Sequence, residues 1–576
     1  MITPRPISRN IAELLRPQRG LIAVAALAMI GATGIALAGP FLTKIAIDRG
    51  ITRGHVGTID LVAGIYVVLV LLRPLVERAI VLGSARAGER FLGDLRVAAF
   101  DKLQELSMPF FEETRAGVLV SRLTNDVQTL STFTRTVLIE VVGSMLLFVV
   151  TLIVLVAMSP LLSLVMLVSV PLLAWSSFRY GKRSRPAFLA LRDRVADTMS
   201  SLQEGLTGVR VVQSFGREDE RYASYYSRSS AQVSAWRRIS LVNIGFFPAI
   251  AFAQALALAA VLVAGGYLHR HGKVTVGTIV AFALYLISLF DPIARLGDWY
   301  SEFQSGRAAL VKINGLLETP VTVQGGGGTL PAEGRLAVEH VTFAYGDSPP
   351  AVRNVSLTVE QGEHLALVGA TGAGKSSLAK LMVRAYDPDT GRVSFGGTDL
   401  RDATLTSLRR SIVFVPQEGH LFSGTLAENV RLARPGASDE EVRDALRSIG
   451  ALARLAPLLD IDVRARGVRL SSGERQLVSL ARIALVDPAV IVLDEATSAL
   501  DPQTERTVEE ALASLARGRT MITIAHRLST AERADRVAVM DRGELVELAS
   551  HDELVAQGER YARLWASWAA GTGAAA

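Results

Sequence analysis

The chain has 576 residues, half of them apolar and a fifth charged, with a mean hydropathy of +0.33, which excludes a disordered chain and is oily for a wholly soluble protein. The 61 basic residues against 55 acidic ones leave +6, an excess that gives no ground for nucleic-acid binding unless the basic residues cluster on one face. The absence of cysteine removes disulfides, Fe–S clusters and thiolate zinc sites together.

Of the 61 basic residues 54 are arginine and seven are lysine, as a GC-rich coding bias produces. A lysine that remains is therefore a candidate for a place where arginine will not serve.

Residues 1–318 read as an all-α transmembrane domain. Arg5, Arg9, Arg16 and Arg19 precede an uncharged run from Gly20 to Thr43, closed by Lys44. Ala36-Leu37-Ala38 resembles a signal-peptide cleavage site, but the run exceeds a signal core of about 7–15 residues and Gly39-Pro40 continues it poorly. At about 1.5 Å per residue, its 24 residues (about 20–43) cross a hydrocarbon core of ~30 Å. Further spans are expected at about 59–82, 141–159, 160–178, 239–268 and 274–290. The middle pair forms one uncharged stretch of 38 residues, Val141 to Phe178, with Ser159-Pro160 as the turn of a tight helical hairpin. Any one run could be a buried helix of a large soluble protein. Six together argue against it.

The 60 residues from Arg179 to Arg238 carry 12 Arg or Lys against six Asp or Glu, and the first 20 carry four Arg against Glu13 alone. Both segments are expected to be cytoplasmic, although Arg270 and Lys273 on the opposite side run against the rule. The stretches 73–140 and 179–238 lack Gly/Pro character and read as helical hairpins reaching roughly 45 Å into the cytosol. Arg73 and Glu77, one turn apart, read as an ordinary i,i+4 pair rather than a substrate contact.

Residues 319–335 read as a linker, with Gln324 and the glycines 325–328 as its flexible part. Residues 336–576 read as an α/β domain. Strand-like runs at His364–Val368, Ile412–Val415, Val490–Leu493 and Met521–Ile524 alternate with helical ones and predict a largely parallel sheet.

Gly369-Ala370-Thr371-Gly372-Ala373-Gly374-Lys375-Ser376, followed by Ser377, fits the phosphate-loop pattern G-x-x-x-x-G-K-[ST]. Its glycines let backbone N–H groups close around phosphate oxygens, and the next helix offers its positive N-terminus. Lys375 would reach the β/γ-phosphates of ATP and the Ser376 hydroxyl would ligate Mg²⁺. Beyond Pro331 the only lysines are Lys375 and Lys380. A compact ammonium fits between phosphates where the broad arginine fork does not. Val490-Ile491-Val492-Leu493 leads into Asp494-Glu495, 119 residues after Lys375. Asp494 can hold Mg²⁺ through water and Glu495 can polarise an attacking water, which suits phosphoryl transfer in a P-loop ATPase.

Several further motifs narrow the class. Leu470-Ser471-Ser472-Gly473-Glu474 precedes the two carboxylates, Gln417 stands in Phe414-Val415-Pro416-Gln417, Ser498-Ala499-Leu500-Asp501 follows, and His526 closes the set. In order and spacing these resemble the ATP-binding-cassette family, specifically exporter-type half-transporters with six helices fused to one cassette. Phe110-Phe111-Glu112 through Asp126 resembles the first coupling segment of that family, and Glu204 through Glu218 the region leading to the second. The resemblance implies that Tyr345 stacks on adenine, that Gln417 approaches Mg²⁺ and the attacking water, and that His526 contacts the γ-phosphate. It implies further that Ser471 and Gly473 bind the nucleotide of a partner cassette, so that the chain works as a dimer.

Two departures stand out. Ser472 and Glu474 replace a glycine and the glutamine of the usual Leu-Ser-Gly-Gly-Gln signature, and Arg464 and Ala465 replace a glycine and a glutamate in the cross-contact loop Val463–Gly467. One reading is harmless drift. The other, toward which the partner expectation leans, is a heterodimer in which this chain supplies the Glu495/His526 site and a weaker signature. The expected function is ATP-driven export of a hydrophobic or amphipathic compound from a bacterial inner membrane, with the N-terminus and cassette cytoplasmic, membrane lipids around the spans and no nucleic-acid partner. Import on the same scaffold, or an ATP-gated channel or regulatory subunit, are the alternatives.

Overall fold

Hydrocarbon offers a peptide group no partner, so a chain crossing it must satisfy its N–H and C=O groups within the segment. The computed structural model, which describes residues 16–416, 419–464, 467–494, 502–525 and 528–572, meets that demand with helices. Among the described residues six are long and apolar enough to cross a membrane: Arg16–Ile51, Val56–Glu105, Ala116–Met158, Pro160–Thr207, Glu218–Arg270 and Val276–Leu317. The chain divides into two compact units, residues 1–104 with 117–319, and residues 105–116 with 320–576.

In the first unit the main helices are α1 (Arg19–Ile45), α2 (Val56–Glu105), α4 (Val142–Met158), α5 (Val170–Thr207), α6 (Glu218–Arg270) and α7 (Val276–Leu317). The 53 residues of α6 make a rod of roughly 80 Å, far longer than a ~30 Å hydrocarbon core. Between α4 and the following helix, Ser159 turns extended, its Oγ accepts the Leu162 N–H, and Pro160 opens the next turn. Proline suits that place because its missing N–H is unpaired there anyway. Arg73 and Glu77 pair on the exposed face of α2 at 2.8 Å.

Lipid tails are as apolar as leucine, so these helices associate by close packing rather than by leaving water. Ala253, Ala257, Val261 and Gly265 recur every four residues along α6 and are all buried. A Cβ on Gly265 would come within 2.9 Å of the Ile279 side chain of α7. Phe282, Tyr285 and Leu286 complete this core, and the Tyr285 hydroxyl donates to the Leu37 carbonyl of α1 at 2.6 Å. By contrast Leu27 and Leu71 are exposed, as lipid-facing positions are.

The second unit holds a short helix, α3 (Met108–Glu113), and the α/β cassette. An antiparallel sheet of β1 (Leu336–Phe343), β2 (Val352–Val359), β4 (Thr390–Phe395) and β5 (Thr398–Asp399) runs in the order β2-β1-β4-β5. The second sheet comprises β3 (His364–Val368), β6 (Ile412–Val415), β7 (Val490–Asp494), β8 (Thr520–Ile524), β9 (Arg536–Asp541) and β10 (Glu544–Ala549). Its order is β10-β9-β3-β8-β7-β6, parallel except for β10. The central strands are buried along almost their whole length, which explains their unbroken apolar sequence. Helix α8 (Lys375–Met382) lies between the two sheets, with Leu378 and Met382 against Val338, Phe395, Leu365 and Ile522. A helical layer containing α9 (Ser472–Val486) packs on β7 through Leu477, Leu480, Ile491 and Leu493.

The glycine run 325–328 is not a free tether. Gly326 and Gly328 donate to the carbonyls of Ala403 and Asp402, both at 2.9 Å, and a Cβ on Gly326 would collide with the Asp402 carbonyl oxygen. Glycine is there to let two backbones meet. The buried Arg384 guanidinium adds a bond to the Gln324 carbonyl at 2.7 Å.

One polar tie stands out in the first unit. Asp48 accepts from the Thr275 hydroxyl at 2.6 Å and the Gly277 N–H at 2.9 Å, joining the turn after α1 to the start of α7. A Cβ on Gly277 would fall 2.5 Å from the Lys44 carbonyl oxygen. Asp48→Ala is expected to destabilise by about 1–2 kcal/mol, the cost of a lost cap. Gly277→Ala should cost more, because backbone must move; thermal unfolding in detergent would rank the two.

Candidate functional site

The loop after β3 adopts backbone angles that only glycine takes without strain: φ is +147° at Gly369, +83° at Gly372 and +100° at Gly374. A side chain at Gly369 would strike the Met540 carbonyl oxygen, and one at Gly374 the Ala351 carbonyl oxygen. Gly374 caps α8 in the left-handed region, so the helix begins at Lys375 with its first N–H groups unpaired. Ala370, Thr371, Gly372 and Ser376 stand exposed around that opening, while Ala373 is buried behind it.

Lys375 is 7% exposed, and its Nζ donates to the carbonyls of Gly369 at 2.8 Å and Ala370 at 3.0 Å. Burial pushes its ammonium below the usual lysine range, and the Asp494 carboxylate at the end of β7 opposes the shift. The sheet thus brings two of the expected site residues into electrostatic reach from positions 119 apart.

Tyr345 follows β1, and its hydroxyl donates to Ser377 Oγ on α8 at 3.1 Å. Its ring meets Phe343 and Tyr386 edge to face, with centroids 4.8 and 5.3 Å away. The Lys380 ammonium stands 5.9 Å from the Tyr345 centroid.

Leu470 is buried and Ser471 is the N-cap of α9, with Ser472 exposed and Gly473 buried in its first turn. Glu474 sits at the third helical position and completes a capping box: its N–H donates to Ser471 Oγ at 3.3 Å, and its carboxylate accepts the Ser471 N–H at 2.8 Å and hydroxyl at 2.9 Å. Burial works against that carboxyl, but the Ser471 bonds and Arg454 at 3.4 Å hold it below the usual carboxylate range. Arg464 takes φ +56° with its N–H on Asp462 at 2.9 Å. Gln417, Ala465, Glu495, Ser498, Ala499, Leu500, Asp501 and His526 lie outside the described residues.

Sequence reasoning missed Arg482. Its guanidinium, on α9, donates to the Asn429 carbonyl at 2.7 Å, to Asn429 Oδ1 at 3.0 Å and to the His420 carbonyl at 2.8 Å. Asn429 in turn pins the Phe422 backbone in both directions at 2.9 Å. An arginine on the apolar face of a helix was the available signal, muted in a chain with 54 of them.

A glycine-held phosphate loop at a helix N-terminus, a buried lysine and a strand-end aspartate, joined to six crossing helices, define a membrane-embedded P-loop ATPase. Residues 22–293 match the family described as the ABC transporter transmembrane region, and residues 352–498 match that described as ABC transporter. The chain belongs to the ATP-binding-cassette transporters, as an exporter-type half-transporter with ATP hydrolysis in its second unit. It is 34% identical over 567 residues to the uncharacterized ABC transporter ATP-binding protein YknV of Bacillus subtilis, covering 96% of this chain and 93% of that protein. It is 34% identical over 571 residues to the multidrug efflux ATP-binding/permease protein Rv0194 of Mycobacterium tuberculosis, covering 98% of this chain and 47% of that one. A bacterial Atm1-family ABC exporter solved with ATP bound superposes with a TM-score of 0.78 at 28% identity, over 95% of this chain and 98% of the other.

Gly374→Ala is expected to weaken ATP binding at least about tenfold, since left-handed strain and the Ala351 clash together exceed the ~1.4 kcal/mol that tenfold requires. Titration with a fluorescent ATP analogue, beside circular dichroism to confirm the fold, measures it.

Proposed function

We propose that two such chains, alike or related, use ATP to export a hydrophobic or amphipathic compound (a lipid, drug or peptide) across a bacterial cell membrane by alternating access. The observation that carries this reading is the union, in one chain, of six crossing helices with a phosphate loop whose lysine is already buried in place. The multidrug efflux protein and the exporter structure among its likenesses support the direction. The basic excess of Arg179 to Arg238 supports a cytoplasmic cassette.

The Lys375 ammonium donates to two loop carbonyls. Phosphate oxygens of ATP would give the Lys375 ammonium anionic acceptors and stabilise the charge that burial disfavours. The exposed Ser376 hydroxyl and the Asp494 carboxylate suit Mg²⁺, a hard cation that draws its other ligands from phosphate and water. Tyr345 would offer a ring to adenine, Gln417 would reach toward Mg²⁺ and the attacking water, and His526 would contact the γ-phosphate. Glu495, next after Asp494, would polarise the water.

Ser471, Ser472 and Gly473 would present the helix α9 N-terminus to the γ-phosphate on the partner chain. The Glu474 carboxylate counts against that role, because it holds the Ser471 hydroxyl and places a negative charge beside an expected phosphate. This supports pairing with a related chain whose signature lacks the charge. The Ser498–Asp501 run would make the contact between cassettes.

Glu495→Gln should bind ATP normally and hydrolyse it roughly 10²–10⁴-fold more slowly, the range for a lost general base. Normal turnover would remove Glu495 from the mechanism. Uptake into inverted vesicles that requires ATP and fails in that variant is the expected transport result. Glu474→Gln keeps the capping box, so stability should stay within about 0.5 kcal/mol while ATP-dependent association of cassettes tightens severalfold. Sedimentation with and without ATP in the Glu495→Gln background reads that change.

A further inference from the structure

Lys380 is the second lysine of the cassette, and the phosphate loop does not use it. Its Nζ lies 2.8 Å from Oε1 and 2.8 Å from Oε2 of Glu112 on α3, the segment that belongs to the second unit while its neighbours on both sides belong to the first. The Tyr386 hydroxyl donates to the same Oε2 at 2.8 Å. Burial and then this carboxylate push the Tyr386 hydroxyl well above the usual tyrosine range. The Lys380 ammonium also stands 5.9 Å from the centroids of both Tyr345 and Tyr386, within cation–π reach. Ser377, which holds the Tyr345 hydroxyl, is one helical turn before Lys380 on α8 and so on the same face.

We propose that Lys380 and Tyr386 link the ring of Tyr345 to Glu112, so that the base of a bound nucleotide, and not only its phosphates, sets how firmly residues 107–116 are held. The inference rests on the reading of Tyr345 as the adenine contact. A base stacked on Tyr345 restrains the ring, the ring's place fixes one of the two faces that steady the ammonium, and the ammonium holds the carboxylate. By linkage the reverse follows: a firmly held Glu112 favours the ring position that the base needs. A compact ammonium can serve one carboxylate and two ring faces together, whereas the planar arginine fork commits to one of them. In a chain that prefers arginine by 54 to seven, lysine at 380 then has a physical reason. Lys380, Tyr386 and Glu112 are positioning residues: each acts on nucleotide through Tyr345.

The test uses the full chain in nanodiscs and two probes, ATP and inorganic tripolyphosphate, which lacks a base. Glu112→Gln and Lys380→Arg should each weaken ATP about fivefold, the lower end of ordinary coupling between sites, and leave tripolyphosphate unmoved. Tyr345→Leu should weaken ATP, and Glu112→Gln added to it should weaken ATP no further. Equal losses for ATP and tripolyphosphate, or additive losses in the double variant, would overturn the link and leave the adenine reading standing. Unchanged ATP affinity in Tyr345→Leu alone would overturn both.

Discussion

A peptide group in hydrocarbon must find its partner within its own segment, and the first unit is built on that requirement. It accounts for helices rather than sheets, and for helices that do not stop where the apolar residues stop. Once a helix is nucleated, each added residue gains a hydrogen bond without a new nucleation cost, so α2 and α6 continue as rods of 50 and 53 residues. Proline can sit inside five of these helices, at Pro40, Pro74, Pro186, Pro248 and Pro292, because neighbouring helices limit the damage of one lost bond. The same setting removes the usual hydrophobic drive for packing. Close approach at Ala253, Ala257, Val261 and Gly265 takes its place, helped by a few polar ties such as Asp48 to Thr275. A long rod turns a small tilt at one end into a displacement at the other.

The phosphate loop inverts the rule. There the first N–H groups of α8 have no acceptor within their own helix, and glycine angles shape the loop that leads into them. The division between the two basic residue types follows from the same chemistry. Arginine is used where one side chain must satisfy several fixed acceptors: Arg384 on Asp387, Leu400 and Gln324, Arg482 on His420 and Asn429, and Arg536 on Glu363 and Thr358. The planar fork meets such sets with little loss of freedom. Lys375 is instead a compact ammonium, held by two loop carbonyls, that would take phosphate as a partner on the proposed reading.

Most of the fold and the phosphate loop were legible because both rest on short-range rules. Hydropathy marks the six helices, Ser159-Pro160 marks their hairpin, and strand–glycine loop–helix marks the loop around Lys375. What was hidden depends on partners distant in sequence. Nothing local shows that Gly326 needs to be glycine; the reason is the Asp402 carbonyl oxygen, 76 positions on. Tyr386 gave no signal as a lone tyrosine after a helix, and Arg482 was one arginine among many. Glu474 was visible only as a departure from a family pattern, and its role in the helix cap could be read only from the bonds it makes.

That cap bears on what the departure means. For starting a helix, glutamate and glutamine are interchangeable at the third position, since either reaches back to the N-cap N–H. The fold of α9 is therefore indifferent to the exchange, and the capping box forms in full with Glu474. A phosphate bound there, as proposed, would not be indifferent, because it would meet a carboxylate in one case and a neutral amide in the other. The same side chain also accepts the hydrogen bond of the Ser471 hydroxyl, a donor that a phosphate there would otherwise engage. A substitution neutral for folding and unfavourable for binding persists most easily where that binding is not needed at full strength. On the proposed dimer, the composite site completed by this signature would be the weaker, and a partner chain with a neutral signature would complete the stronger.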